Sequence, residues 1–225
     1  MEGWGGRWRA AGADHFKQIL PMDPMEEKTN QLQPIYDEFK AAADPYKTEA
    51  VCAKGCAFCC TDAGSIHITT LEGLVVRDCI DRLPRGRQVA VKKALAADIK
   101  RRERNQPSAC PLLMKNRACM IYDQRPFACR RIYSLKTCSP DQHPVLSKQV
   151  MTLGDQAIRA LQQLDATGYS GHLSYILYML ATPAFLNTYL SGDHRPEEIM
   201  QFGKSHGIVI NQIMACNSSL MAHRD

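Results

Sequence analysis

The sequence predicts a mainly α protein whose helices surround a cysteine-rich, loop-built centre, with at most a short strand or two. Three observations lead there. Apolar residues recur at helical spacing on both sides of a central region. That region contains two stretches, Cys52–Cys60 and Cys110–Cys138, which carry eight of the ten cysteines and show no sustained period. Only "SIHIT", Ser65 to Thr69, alternates apolar and polar residues as a strand does.

The elements follow in order. Residues 1–24 open on "MEGWGGRWRAAGADHF", which lacks the apolar core of an export signal and reads as a flexible N-terminal segment. Met25 to Ala43 spaces Leu32, Ile35, Tyr36 and Phe39 as one helix, closed by Asp44-Pro45. After the SIHIT strand, Thr69 and Glu72 form a capping box that opens a helix to about Leu83. Pro84-Arg85-Gly86 breaks it, and Gln88 to Glu103 continues as a basic helix. Beyond Pro144, Val145–Ala166 is helical and stops near Gly168. Leu173–Tyr189, Glu197–Ser205 and residues 207–220 read as further helices.

Composition excludes some classes. At 45% hydrophobic and 23% charged residues, with a mean hydropathy of -0.30, the chain is an ordinary globular one. Its longest apolar run, Leu173–Leu190, is interrupted by Pro183, Asn187 and three tyrosines. A spanning helix needs about 20 consecutive apolar residues, so no membrane role is expected. The net charge is +5, much of it between Arg82 and Arg104, where nine cations face only Asp98 and Glu103. That stretch reads first as a solvated helix face. Its functional alternative is a docking face for a protein partner, over residues 85–104. No aromatic residue interleaves the cations, so nucleic acid is not expected.

The cysteines carry the chemistry. Cys52, Cys56, Cys59 and Cys60 form C-x3-C-x2-C-C, and Cys110, Cys119, Cys129 and Cys138 follow at spacings of nine, ten and nine. Without an export signal, thiols at short spacings read as metal ligands in the cytoplasm rather than as disulfides. Thiolates suit zinc and iron–sulfur clusters, each of which takes four. In an extended segment Cys59 and Cys60 would point to opposite sides and would not chelate one ion. Eight thiols therefore suit two mononuclear sites or one polynuclear site. The tight spacing and adjacent pair favour an iron–sulfur cluster, 4Fe–4S in type, over zinc. Residues 25–144 are accordingly expected to form the metal-binding domain, with 145–225 a helical C-terminal region packed on it. Arg125, Arg130 and Arg131 are expected to offset the thiolate charge and donate to sulfur. Pro126 should stiffen the loop before Cys129, and Tyr122 should pack against the site as core.

"CAKGCAFC" also fits C-x3-C-x-aromatic-C, the signature of radical S-adenosylmethionine enzymes. The strand–helix repeats of that family do not follow, and its fold has no use for the second cysteine series. Taken together, the two series resemble the YkgJ-type cysteine-cluster family, a zinc- or iron-chelating domain. The resemblance rests on Cys52, Cys56, Cys59, Cys60, Glu72, Cys110-Pro111-Leu112 and "CMIYDQRPFACR" from Cys119 to Arg130, and covers about residues 50–140. The first spacer departs from it, being C-x3-C where the family has C-x2-C. The resemblance implies metal held through the eight cysteines. It also implies kinship to flagellin lysine N-methylases, hence the alternative of an S-adenosylmethionine-dependent protein lysine methyltransferase; whether the chain is an enzyme stays open.

Cys79 on the apolar side of its helix and Cys216 near the C-terminus read as packed thiols. His67 lies close to the first cysteine series, but eight cysteines already suffice as ligands; His143, His172, His194 and His206 have no metal-ligand partner at helical spacing. No phosphate-binding glycine loop, G-x-S-x-G elbow or H-E-x-x-H pair occurs.

Overall fold

The Thr69–Glu72 capping box forms as the spacing predicts, and the helix it opens is the one on which the others pack. Thr69 Oγ1 accepts the Glu72 N–H at 3.1 Å, and the Glu72 carboxylate accepts the Thr69 N–H at 3.0 Å. Such a cap contributes about 1 kcal/mol. A computed structural model describes residues 24–53, 55–61, 65–106, 108–192 and 202–212. The segment before residue 24, Cys216, His194, the first half of the helix read at Glu197–Ser205 and most of that read at 207–220 lie outside them.

The protein is mainly helical. The order is α1 (Pro24–Asn30), α2 (Leu32–Ala43), α3 (Phe58–Thr61), β1 (His67–Thr69), α4 (Thr70–Asp81), α5 (Arg85–Arg102), α6 (Phe127–Arg130), α7 (Lys148–Leu164), β2 (Tyr169–His172), α8 (Leu173–Ala181), α9 (Pro183–Leu190) and β3 (Val209–Ile210). Residues 202–206 form one further helical turn. The strands make an antiparallel sheet in the order β1-β2-β3, with His67 opposite His172 and Tyr169 opposite Ile210.

Helix α4 is a wall shared by two apolar cores. On one side Val76 and Ile80 meet Ile176, Met179 and Leu180 of α8. On the other, Leu71 joins Phe39 of α2, Phe127 of α6, and Val150 and Leu161 of α7. Full burial of each such side chain contributes about 1.5–3 kcal/mol. The α4–α8 approach depends on Gly73, where a Cβ would lie 2.7 Å from Leu180 Cδ1 and 2.8 Å from Ile176 Cγ2.

A buried carboxylate ties the far ends together. Asp165, just past α7, accepts the Thr70 hydroxyl (2.6 Å), the Leu71 N–H (3.0 Å) and the Tyr189 hydroxyl (2.7 Å). Asn211 donates to its main-chain oxygen at 2.8 Å. Burial pushes the Asp165 carboxyl up to about 6.

Four local expectations are corrected. The sheet has three strands rather than one or two, because β2 and β3 are too short and polar to show a period and exist through pairing. The helix read at Met25–Ala43 breaks at Gln31, since Pro34 cannot donate to the Asn30 carbonyl and its ring would strike it. The helix read at Leu173–Tyr189 breaks at Thr182, because Pro183 starts a new helix at its first turn. The basic helix starts at Arg85, and residues of α4 share its charge: Lys92 lies 3.8 Å from Asp81, while Arg102 pairs with Asp98 at 2.9 Å on its own helix. Among the described residues no helix is long and apolar enough to cross a membrane.

Candidate metal centre

The two cysteine series, fifty residues apart in sequence, meet in one place. A cavity of about 880 Å³ is lined by Cys52, Cys56, Cys59 and Cys60 of the first series and by Cys110, Cys119 and Cys129 of the second. All eight candidate cysteines, Cys138 included, are free thiols.

Backbone hydrogen bonds bring the first series to the second. The Val51 N–H donates to the Ser134 carbonyl at 2.9 Å, and the Ser134 N–H donates to Cys52 Sγ at 3.2 Å. A turn closed by Cys56 N–H to the Ala53 carbonyl (3.0 Å) contains Gly55 at φ +91°, a conformation few side chains tolerate. Cys59 and Cys60 then sit on α3, a single helical turn within the stretch expected to be loop and turn. Successive helical side chains diverge by about 100°. The Cys110 N–H reaches back to the Cys60 carbonyl at 2.6 Å.

The second series is shaped by a small hairpin and a short helix. A bridge between Leu113 and Cys119, with Met120 N–H donating to the Leu112 carbonyl at 2.9 Å, folds Cys119 back beside Cys110. Buried Leu112 and Ile121 anchor the hairpin in the α4–α8 core. Cys129 rides on α6, whose first residue, Phe127, donates its N–H to Glu72 Oε1 at 2.8 Å. The Phe127 ring packs edge-on against Phe39 at 4.8 Å. Cys138 follows Ser134, whose Oγ accepts the Lys136 N–H and donates to the Lys136 carbonyl.

The arginines divide. Arg125 and Arg130 line the cavity, with Arg125 stacked on Tyr122 at 4.1 Å and Arg130 over Tyr36 at 4.8 Å. Arg130 also donates to the Arg125 and Asp123 carbonyls, at 2.7 and 2.6 Å, bracing the loop between Cys119 and Cys129. Arg131 leaves the site: it passes Gly154 and meets Asp155 on α7 at 3.3 Å. Tyr122 is 57% exposed at the cavity mouth rather than packed as core, because the helical turn over Tyr122–Gln124 directs it outward. His67 faces His172, and His143 lies edge-on to Phe58 at 6.2 Å; neither lines the cavity. Cys79 packs against the α4–α8 core.

Several residues that shape the site carry no signal in the cysteine spacing. Ser134 holds Cys52 but lies in an undistinguished "YSL". Lys40, Lys47 and Arg117 add cationic charge to the walls. Only Lys40 could have been found, four residues after Tyr36 on one face of α2.

The thiols perturb one another. The adjacent Cys60 thiol lowers Cys59 to about 6, with Arg125 assisting, and Cys59 in turn raises Cys60. Burial pushes Cys110 up to about 11 and raises Cys52, Cys119 and Cys129 as well. Neighbouring sulfurs oppose further ionisation, so a cation is what would let several become thiolates together. The donor set fits a thiophilic metal by type and by gathering around one cavity. Among the described residues no three His, Cys, Asp or Glu side chains stand close enough to hold an ion as they are. No family model, curated protein or solved structure matches this chain.

Proposed function

We propose that this chain is a metal-binding protein whose centre, iron–sulfur or zinc, is held by thiolates from both cysteine series. The observation that carries the reading is the convergence of seven of the eight candidate thiols on one cavity. Sulfur is the majority donor around the cavity, beside the carboxylates of Asp37 and Asp123, and soft sulfur selects these metals over calcium or magnesium. Free thiols at every candidate position suit a reducing compartment such as the cytoplasm.

The chain's own contribution is to gather sulfurs, to set charge beside them through Arg125 and Arg130, and to fix the loops through Glu72 and Ser134. A bound centre would supply electron transfer, if iron–sulfur, or a structural clasp, if zinc. The resemblance to the YkgJ-type family points the same way.

Anaerobic purification followed by metal and acid-labile sulfide analysis tests the reading. An iron–sulfur protein is brown with matching iron and sulfide; a zinc protein is colourless with stoichiometric zinc. A folded chain purified with neither metal above trace overturns it.

A further inference from the structure

Two polar groups of residues lining the cysteine cavity are buried without a hydrogen-bond partner among the described residues: Arg125 Nε and the Tyr133 hydroxyl. Buried donors are nearly always paired, so two orphans on residues of one cavity ask for an acceptor that the chain itself does not supply. Tyr133 is only 8% exposed. Burial, with the Asp44 carboxylate assisting, pushes its hydroxyl up to about 12, so it keeps its proton and remains a donor at neutral pH. Arg125 is held in place without spending its donors. Its guanidinium lies over the Tyr122 ring at 4.1 Å, and stacking on a ring face leaves the in-plane N–H fork available.

The charge of the walls has the same sense. Lys40, Lys47, Arg117, Arg125 and Arg130 line the cavity, against the carboxylates of Asp37 and Asp123. Lys47 already pairs with Asp44 at 2.8 Å; among the described residues the other four cations are in no ion pair. Arg130 is fixed by Nε on the Arg125 carbonyl (2.7 Å) and Nη2 on the Asp123 carbonyl (2.6 Å), which leaves Nη1 for a further acceptor. Lys40 and Arg117 are exposed, where their charge draws anions toward the cavity. A volume of about 880 Å³ is that of a small-molecule site.

We propose that the cavity binds a small ligand bearing a carboxylate or phosphate group, with Arg125 and Arg130 as its anion-binding residues and the Tyr133 hydroxyl as a further donor. A planar guanidinium matches two oxygens of either group at once. This goes beyond the metal-centre reading and does not depend on which metal the thiols hold. Arg125 serves both, its charge toward the sulfurs and its N–H groups toward the ligand.

The experiment is a calorimetric titration of the full chain, prepared anaerobically, at low ionic strength. Inorganic phosphate is the probe in one arm and succinate in the other, and metal is counted in the same sample. The expected result is saturable binding of at least one probe, and the tighter one identifies the group. Arg125→Lys keeps the charge but loses the fork, and should weaken that binding by about 10–100-fold with metal content unchanged. Tyr133→Phe removes a hydroxyl that no protein hydrogen bond uses, so it should fold as the parent does and weaken binding by about 2–10-fold. Arg131→Ala, whose side chain turns away to Asp155, should bind as the parent does. Absence of saturable binding with both probes overturns the proposal. Binding that neither Arg125→Lys nor Tyr133→Phe weakens, or that Arg131→Ala weakens equally, overturns it too. A metal-free chain that still binds the anion sinks the metal-centre reading alone, and a metal-loaded chain that binds neither probe sinks this proposal alone.

Discussion

Glu72 and Phe127, 55 residues apart, are joined by a buried 2.8 Å hydrogen bond from the Phe127 N–H to the Glu72 carboxylate. The same carboxylate accepts the Tyr36 hydroxyl at 2.8 Å and the Thr69 N–H at 3.0 Å. Glu72 follows the first cysteine series on α4, and Phe127 precedes Cys129 by two residues. One side chain therefore fixes α2, α4 and the second series relative to one another, and its position decides whether the sulfurs face a common space.

Replacing Glu72 by alanine strands three buried donors at once. We expect a loss of about 3–5 kcal/mol in denaturant unfolding. Glu72→Gln keeps one acceptor oxygen but turns an amide donor toward a donor, and should cost about 1–3 kcal/mol. A Glu72→Ala protein as stable as the parent would show that the tie is dispensable.

Asp165 makes stability depend on pH in a definite direction. Burial raises its folded pKa to about 6, above the unfolded value, so the folded protein keeps a proton that the unfolded chain has lost. Its contribution is full below about pH 4 and is lost as pH rises to about 6, by up to about 3 kcal/mol. Urea unfolding across that window should show the decline, and Asp165→Asn should flatten it. Asn can still turn its oxygen to Thr70 and Leu71 and its amide to Tyr189.

The contact at Gly73 leaves no room for a methyl group. Gly73→Ala gains up to about 1 kcal/mol in helix propensity but forces Leu180 and Ile176 aside at about 1–3 kcal/mol. A lowered melting temperature is expected; a raised one would mean that α8 yields freely.

Arg125 and Arg131 should behave differently although both neighbour cysteines in sequence. Arg125→Ala is expected to weaken metal retention against a chelator by about 10–100-fold. Arg131→Ala removes only a partly exposed pair with Asp155 and should leave retention unchanged, with less than about 1 kcal/mol of stability lost. Equal effects from the two would contradict the geometry.

The α class, the capping box and the convergence of the cysteines were legible because each leaves a local mark: a period, a Thr-x-x-Glu spacing, a run of thiols. β2 and β3 left none, since four residues and two residues are held by partners rather than by propensity. The direction of Arg131 and Tyr122 was also hidden, because a single helical turn after Pro126 and another at Tyr122 set which way each points. Sequence adjacency to a cysteine says little about facing it. The roles of Ser134 and Asp165 rest on contacts spanning 82 and up to 95 residues, and no short spacing encodes them.

X-ray absorption at the metal edge of the anaerobically prepared chain tests the central claim most directly. The account predicts a shell made wholly of sulfur, at about 2.3 Å, around iron or zinc. A shell dominated by oxygen or nitrogen would contradict it.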